Sequence, residues 1–131
     1  MKPIRWASEP TMASCCGGFA VALFVAAAAV PARAGPGQDA YETDCAGCHS
    51  LTGASTPSGP SLKGVVWRKV ANVPGFAYSP ALKHMTGTWT PQRLDAFLKD
   101  TQSFAPGTDM YFTIDDTARR RAIIGYLETA K

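Results

Sequence analysis

The sequence predicts an all-α domain of four or five short helices joined by ordered loops. Three observations carry this. Apolar residues recur at helical spacing in three places: Tyr41, Cys45 and Cys48; Leu94, Phe97 and Leu98; Ile123, Tyr126, Leu127 and Ala130. Two helix starts, Ser79-Pro80 and Thr90-Pro91, each put an N-capping hydroxyl before a proline at the first helical position. The stretches between are dense in turn-forming residues.

Residues 1–34 read as a secretory signal peptide. Lys2 and Arg5 make a basic start, Ala20 to Val30 is an unbroken apolar run, and Ala32-Arg33-Ala34 supplies small residues at the two positions a signal peptidase reads. The run is shorter than the ~20 apolar residues a transmembrane helix needs. An uncleaved anchor is the alternative, since counting from Ala13 lengthens the weakly apolar stretch. A lipoprotein reading would use Cys15, but the apolar run follows that cysteine instead of preceding it. Cleavage after Ala34 removes Cys15 and Cys16 and leaves one domain of 97 residues, 35–131. It carries ten basic and nine acidic side chains, net +1. That balance excludes nucleic acid as a partner and gives no case for adhesion to an anionic membrane.

The first helix opens at Gly35-Pro36-Gly37, with Asp39, Glu42 and Asp44 on its solvent side. At its C-terminal end stands Cys45-Ala46-Gly47-Cys48-His49. Ser50 to Pro60 is loop. Pro60 to Lys69 reads as an ordered loop, with a short strand at Val65–Trp67 as the alternative. Val73-Pro74-Gly75-Phe76 turns the chain. A short helix then runs from Pro80 to about Met85, and a second from Pro91 to near Asp100. Thr101 to Tyr111 is expected to be loop, pinned by Pro106-Gly107. The last helix begins near Asp115 or Asp116, with Arg119, Arg120 and Arg121 expected in a solvated turn.

Two cysteines three apart, followed at once by histidine, form the c-type haem attachment pattern. Each thiol must reach a vinyl group on one porphyrin edge. Two intervening residues put both on the same side of one helical turn. His49 then lies where its imidazole can bind the iron, and Ala46 and Gly47 leave room at the haem edge. A zinc site needs four ligands, and His84 stands at no common zinc spacing from Cys45, Cys48 and His49. A thioredoxin-like pair wants a βαβ context that this chain does not offer. The expected cofactor is one haem c, covalent through Cys45 and Cys48.

Further motifs in order are Gly59-Pro60-Ser61-Leu62-Lys63-Gly64, Arg68-Lys69 with Pro74-Gly75-Phe76-Ala77-Tyr78, Thr88-Trp89-Thr90, Pro106-Gly107-Thr108-Asp109-Met110-Tyr111-Phe112 and Ile124-Gly125-Tyr126-Leu127. With the haem motif, this set resembles a class I cytochrome c of the soluble bacterial and mitochondrial type along nearly all of residues 35–131. The resemblance implies that fold, its helices and loops wrapped around one haem, with electron transfer and no enzymatic activity. It implies Met110 as the second axial ligand beside His49. A thioether is a soft neutral donor, and His/Met ligation favours ferrous iron. Met85 is the competing methionine. Pro60 resembles the residue whose carbonyl accepts the proximal histidine's other N–H. Thr108 resembles the hydroxyl that bonds the methionine sulfur. Arg68, Tyr78 and Trp89 resemble the groups that hold a buried propionate, which must be paired or multiply hydrogen-bonded. Gly37, Tyr41, Ile123 and Tyr126 resemble the crossing of the terminal helices. His84 reads as a surface residue.

Where mitochondrial members carry a lysine ring, this chain has Asp44, Gln102, Ser103 and Asp109. Their partners therefore do not transfer. The expectation is a monomeric periplasmic carrier serving redox protein partners through the apolar and polar rim of the haem edge, with Phe112 a member. No stable membrane insertion is expected after cleavage, and an anchored form if the leader is retained. A haem subunit of a periplasmic dehydrogenase or oxidase is the alternative. A ligand-binding or peroxidase-like haem protein would require Met110 off the iron.

The leader has a direct test. Mass spectrometry of the exported protein should give an N-terminus at Gly35; a mature chain beginning at Met1 would make the leader an anchor.

Overall fold

The computed structural model describes residues 35–131. The expected signal peptide lies outside the described residues. Five helices follow in order: α1 Pro36–Asp44, α2 Pro80–Lys83, α3 Pro91–Lys99, α4 Thr101–Phe104 and α5 Thr117–Thr129. The all-α expectation holds, and no helix among the described residues is long and apolar enough to cross a membrane.

The frame is the packing of α1 on α5, with α3 against α5 and α4 against α3. Gly37 makes the first contact possible. A Cβ there would fall on the Ala122 carbonyl and reach the Tyr126 Cβ at 2.9 Å. Tyr41 and Tyr126 pack at 5.6 Å between ring centroids, one helical turn further along each helix. Ile123, fully buried, and Leu127 complete the α5 side. Pro36 lies in the first turn of α1, where its missing N–H costs nothing.

The two Ser/Thr-Pro starts behave as the sequence predicts. The Ser79 hydroxyl accepts from Leu82 N–H and the Thr90 hydroxyl from Arg93 N–H. Asp116 caps α5 by accepting from Ala118 and Arg119 N–H. Val65–Trp67 forms no strand. Instead Lys69 and Thr88 make an isolated antiparallel bridge. Flanking bonds, Trp67 N–H to Trp89 C=O and Trp89 N–H to Arg68 C=O at 2.8 Å each, fasten Arg68 beside Trp89. The bend puts Trp67 at φ 70°, with its ring 63% exposed.

Two expectations are corrected. Thr101 to Tyr111 is not all loop, because α4 occupies its start. Asp100 accepts from Gln102 and Ser103 N–H and so closes α3 and opens α4. The arginine cluster is not a solvated turn either, because Arg120 is 4% exposed. Its guanidinium pairs with Asp95 of α3 at 2.8 Å and donates to the Ile114 and Asp115 carbonyls at 2.7 and 2.9 Å. A buried guanidinium persists only when its N–H groups are satisfied in this way. Arg119 binds Asp44 through two bonds, 2.5 and 3.0 Å, tying the end of α1 to α5. Arg121 alone of the three is exposed.

Arg120→Ala should therefore lower the stability of the holoprotein by about 3 kcal/mol in urea denaturation, because a carboxylate and two carbonyls lose their partner. Arg121→Ala should change it by less than ~0.5 kcal/mol. Equal small effects would contradict the buried placement.

Candidate functional site

A cavity of about 420 Å³ lies at the centre of this frame. Cys45, Cys48, His49 and Pro60 line it, as do Arg68, Tyr78, Trp89, Thr108 and Met110. All nine site residues read from the sequence thus meet at one place. The rest of the lining is mainly apolar core, including Leu94, Phe97, Leu98, Ile123 and Leu127. The volume falls within the range of small-molecule and cofactor pockets.

The sequence put the cysteine motif on the last turn of α1; the helix instead ends at Asp44, and the motif forms the turn that follows it. Cys45 caps the helix, donating to the Tyr41 carbonyl at 2.8 Å, and His49 N–H reaches back to the Cys45 carbonyl at 2.9 Å. The Tyr41 hydroxyl donates to the His49 carbonyl at 3.2 Å. The turn is thereby tied to the crossing of α1 and α5. Cys45 is buried and Cys48 exposed. Burial, reinforced by the Asp44 charge, pushes the Cys45 thiol up to about 12.

The His49 ring is fixed from two sides. Its Nδ1 meets the Pro60 carbonyl at 2.8 Å. Gly59 lies against the ring so closely that a Cβ there would come 2.5 Å from Cε1 and 2.6 Å from Nδ1. Thr56 folds the loop to allow this. Its hydroxyl oxygen accepts the Ser58 and Gly59 N–H groups and lies 2.5 Å from the Cys48 carbonyl. Burial lowers the His49 pKa, with the Pro60 bond opposing. The imidazole is then neutral at neutral pH, as a metal ligand must be.

Met110 also lines the cavity, half-buried in an irregular segment after α4. Met85 packs against the core but does not line the cavity. The buried Thr108 hydroxyl meets the Met110 backbone N–H at 3.5 Å. Arg68 spends two donors on the Ser61 and Lys63 carbonyls, 2.8 and 2.9 Å, which fixes its guanidinium at the cavity wall. Burial lowers its pKa, and Tyr78 opposes that. The Tyr78 hydroxyl accepts the Val73 N–H at 3.2 Å. His84 is exposed, as expected.

Sequence reasoning missed Thr101 and Gln102, which bond the Met110 segment. The one local signal was Asp100 ahead of Thr101-Gln102-Ser103, an N-cap pattern. It also read Asp44 as a solvent-side residue of α1, whereas Arg119 holds it. Ser103 bonds the Asp100 carboxylate, whose pKa lies below its ordinary value chiefly for that reason.

The donor set fits a c-type haem. Two thiols stand on one turn, an imidazole and a thioether line one apolar cavity, and Arg68, Tyr78 and Trp89 offer N–H and O–H groups at its wall. Among the described residues no three His, Cys, Asp or Glu side chains converge as a metal-binding group. Gly59→Ala should therefore push the His49 ring off the Pro60 carbonyl and lower holoprotein stability by about 1–3 kcal/mol. A native unfolding midpoint with an unchanged absorption spectrum would contradict the close approach.

The sequence model of the cytochrome c family matches residues 34–131. The chain is 39% identical over 103 residues to a cytochrome c-type cyt cy of Rhodobacter capsulatus, covering 78% of this chain and 51% of that protein. It therefore spans about half the length of that relative. It is 44% identical over 80 residues to cytochrome c of Trypanosoma brucei brucei, covering 60% of this chain and 86% of the relative. The solved structure of cytochrome cH from Methylobacterium extorquens superposes with a TM-score of 0.66 at 36% identity, over 72% of this chain and 95% of that one. With the cavity, the paired thiols and this match over the whole described domain, the chain belongs to the cytochrome c family as a class I mono-haem electron carrier whose haem c is attached through Cys45 and Cys48.

Proposed function

We propose that this protein is an exported carrier of single electrons, working in the periplasm with its iron held between His49 and Met110. One observation supports the ligand pair above others. His49 and Met110 line the same cavity as Cys45 and Cys48, whereas Met85, the other methionine of residues 35–131, does not. The leader described by the sequence supports the location.

The bound haem supplies one-electron chemistry between ferrous and ferric iron. The chain does the rest. Pro60 and Gly59 hold the His49 ring in one orientation, and the Pro60 carbonyl strengthens the imidazole as a donor. The Met110 thioether, soft and neutral, biases the site toward the ferrous state. Arg68, Tyr78 and Trp89 would hold a propionate that burial takes out of water. Arg68 serves this better for being fixed already by two carbonyls. The apolar walls exclude water, so little solvent must reorganise when the charge changes. Tyr111 is 78% exposed beside Met110, and Phe112 lines the cavity. These two put apolar surface where a redox protein could dock through a small, transient contact.

Met110→Ala should abolish the weak far-red sulfur-to-iron band of the ferric holoprotein and let carbon monoxide bind the ferrous form readily. Met85→Ala should do neither. The reverse pattern would assign the ligand to Met85.

A further inference from the structure

Taking Met110 as the sixth ligand, on which this inference rests, we propose that Thr101 and Gln102 are positioning residues that hold it on the iron. They do so by clamping the backbone on both sides of it. Thr101 is 1% exposed. Its hydroxyl donates to the Met110 carbonyl at 2.6 Å and accepts the Phe112 N–H at 3.2 Å, with the Phe112 carbonyl 3.1 Å away. The Gln102 amide donates to the Thr108 carbonyl at 2.8 Å and to Met110's at 3.2 Å. The Met110 carbonyl thus faces a donor from each of two consecutive residues of α4.

The arrangement solves a backbone problem. From Thr108 to Ile114 the chain forms no regular secondary structure, and its carbonyls at 108, 110 and 114 all meet protein donors. In a sheet a neighbouring strand would supply these. No strand lies alongside among the described residues, so side chains of α4 take most of that role and Arg120 the last position. The segment is anchored at its ends by Thr108 N–H on the Ala105 carbonyl, 3.0 Å, and Ile114 N–H on the Leu98 carbonyl, 2.9 Å. A thioether binds ferric iron weakly, because a soft donor faces a harder ion. Keeping it bound therefore depends on holding the backbone in place beforehand. The clamp sets how often the segment opens.

Ferric holoprotein mixed with saturating imidazole reports this opening, as loss of the far-red band in stopped-flow. Thr101→Val should exchange at least about tenfold faster than the native protein, since each unmade buried bond costs enough for such a factor. Thr101→Ser, which keeps the hydroxyl, should restore a near-native rate. Gln102→Leu, at a half-buried position, should speed exchange about threefold or more and decides the matter if Thr101→Val yields no holoprotein. Ile124→Val, in the core on α5, should lower the unfolding midpoint without changing the rate. That separates clamping from general stability. Rates within about twofold of native in both clamp variants, with the resting band intact, would overturn the clamp alone. Survival of the band in Met110→Ala would instead overturn the ligation beneath it.

Discussion

The close crossing of α1 on α5 is the contact on which the rest of the molecule depends. It requires a residue without a side chain at Gly37, because the Ala122 carbonyl occupies the space a Cβ would take. Once the helices meet there, the Tyr41–Tyr126 contact and the Asp44–Arg119 pair fix their register. The cysteine turn has then no freedom left. It begins at the C-cap of α1 and is tied back to that helix by Tyr41. Helix packing thus aims two thiols and an imidazole at the cavity.

The His49 and Met110 sides of the cavity are built by different physics. The His49 side is local: the motif, the Thr56-folded loop and Gly59-Pro60 all lie within sixteen residues, held mostly by backbone carbonyls. The Met110 side is assembled from separate elements. Met110 comes on an irregular segment with no strand beside it among the described residues, and α4 supplies backbone partners through Thr101 and Gln102. Arg120 then binds that segment's end to α3 and α5 in one buried knot. The His49 side is held by a loop that is short and internally bonded. The Met110 side is held largely by side chains of α4.

Charge follows the same division. The sequence suggests several bare polar or acidic positions near the haem edge. The structure engages most of them: Asp44 with Arg119, Gln102 with the Met110 segment, Ser103 with Asp100. Asp109 remains exposed. The surface around the cavity mouth is therefore less charged than its composition implies, and the exposed Tyr111 is its largest feature.

The sequence by itself determined the cofactor, the starts of α1, α2, α3 and α5, and nine of the residues that line the cavity. Each of these is set by local chemistry: thiol spacing along one turn, a hydroxyl before proline, glycine where nothing else fits. Its periodicities placed α3 and α5 within a residue or two, and carried α1 through Cys48 where the helix ends at Asp44. Tertiary structure alone decided what became of the arginine triplet and of Thr101 to Phe104. Three adjacent arginines read as solvent, because nothing nearby in sequence can pair with them. Asp95 lies 25 positions from Arg120, and Asp44 lies 75 from Arg119. Thr101–Phe104 is too short to show a helical period. It is helical because Asp100 caps it and because Thr101 and Gln102 satisfy a chain that arrives about ten residues later. A partner so far along the chain leaves no mark on local pattern, and only the packing of α3, α4 and α5 brings it within reach.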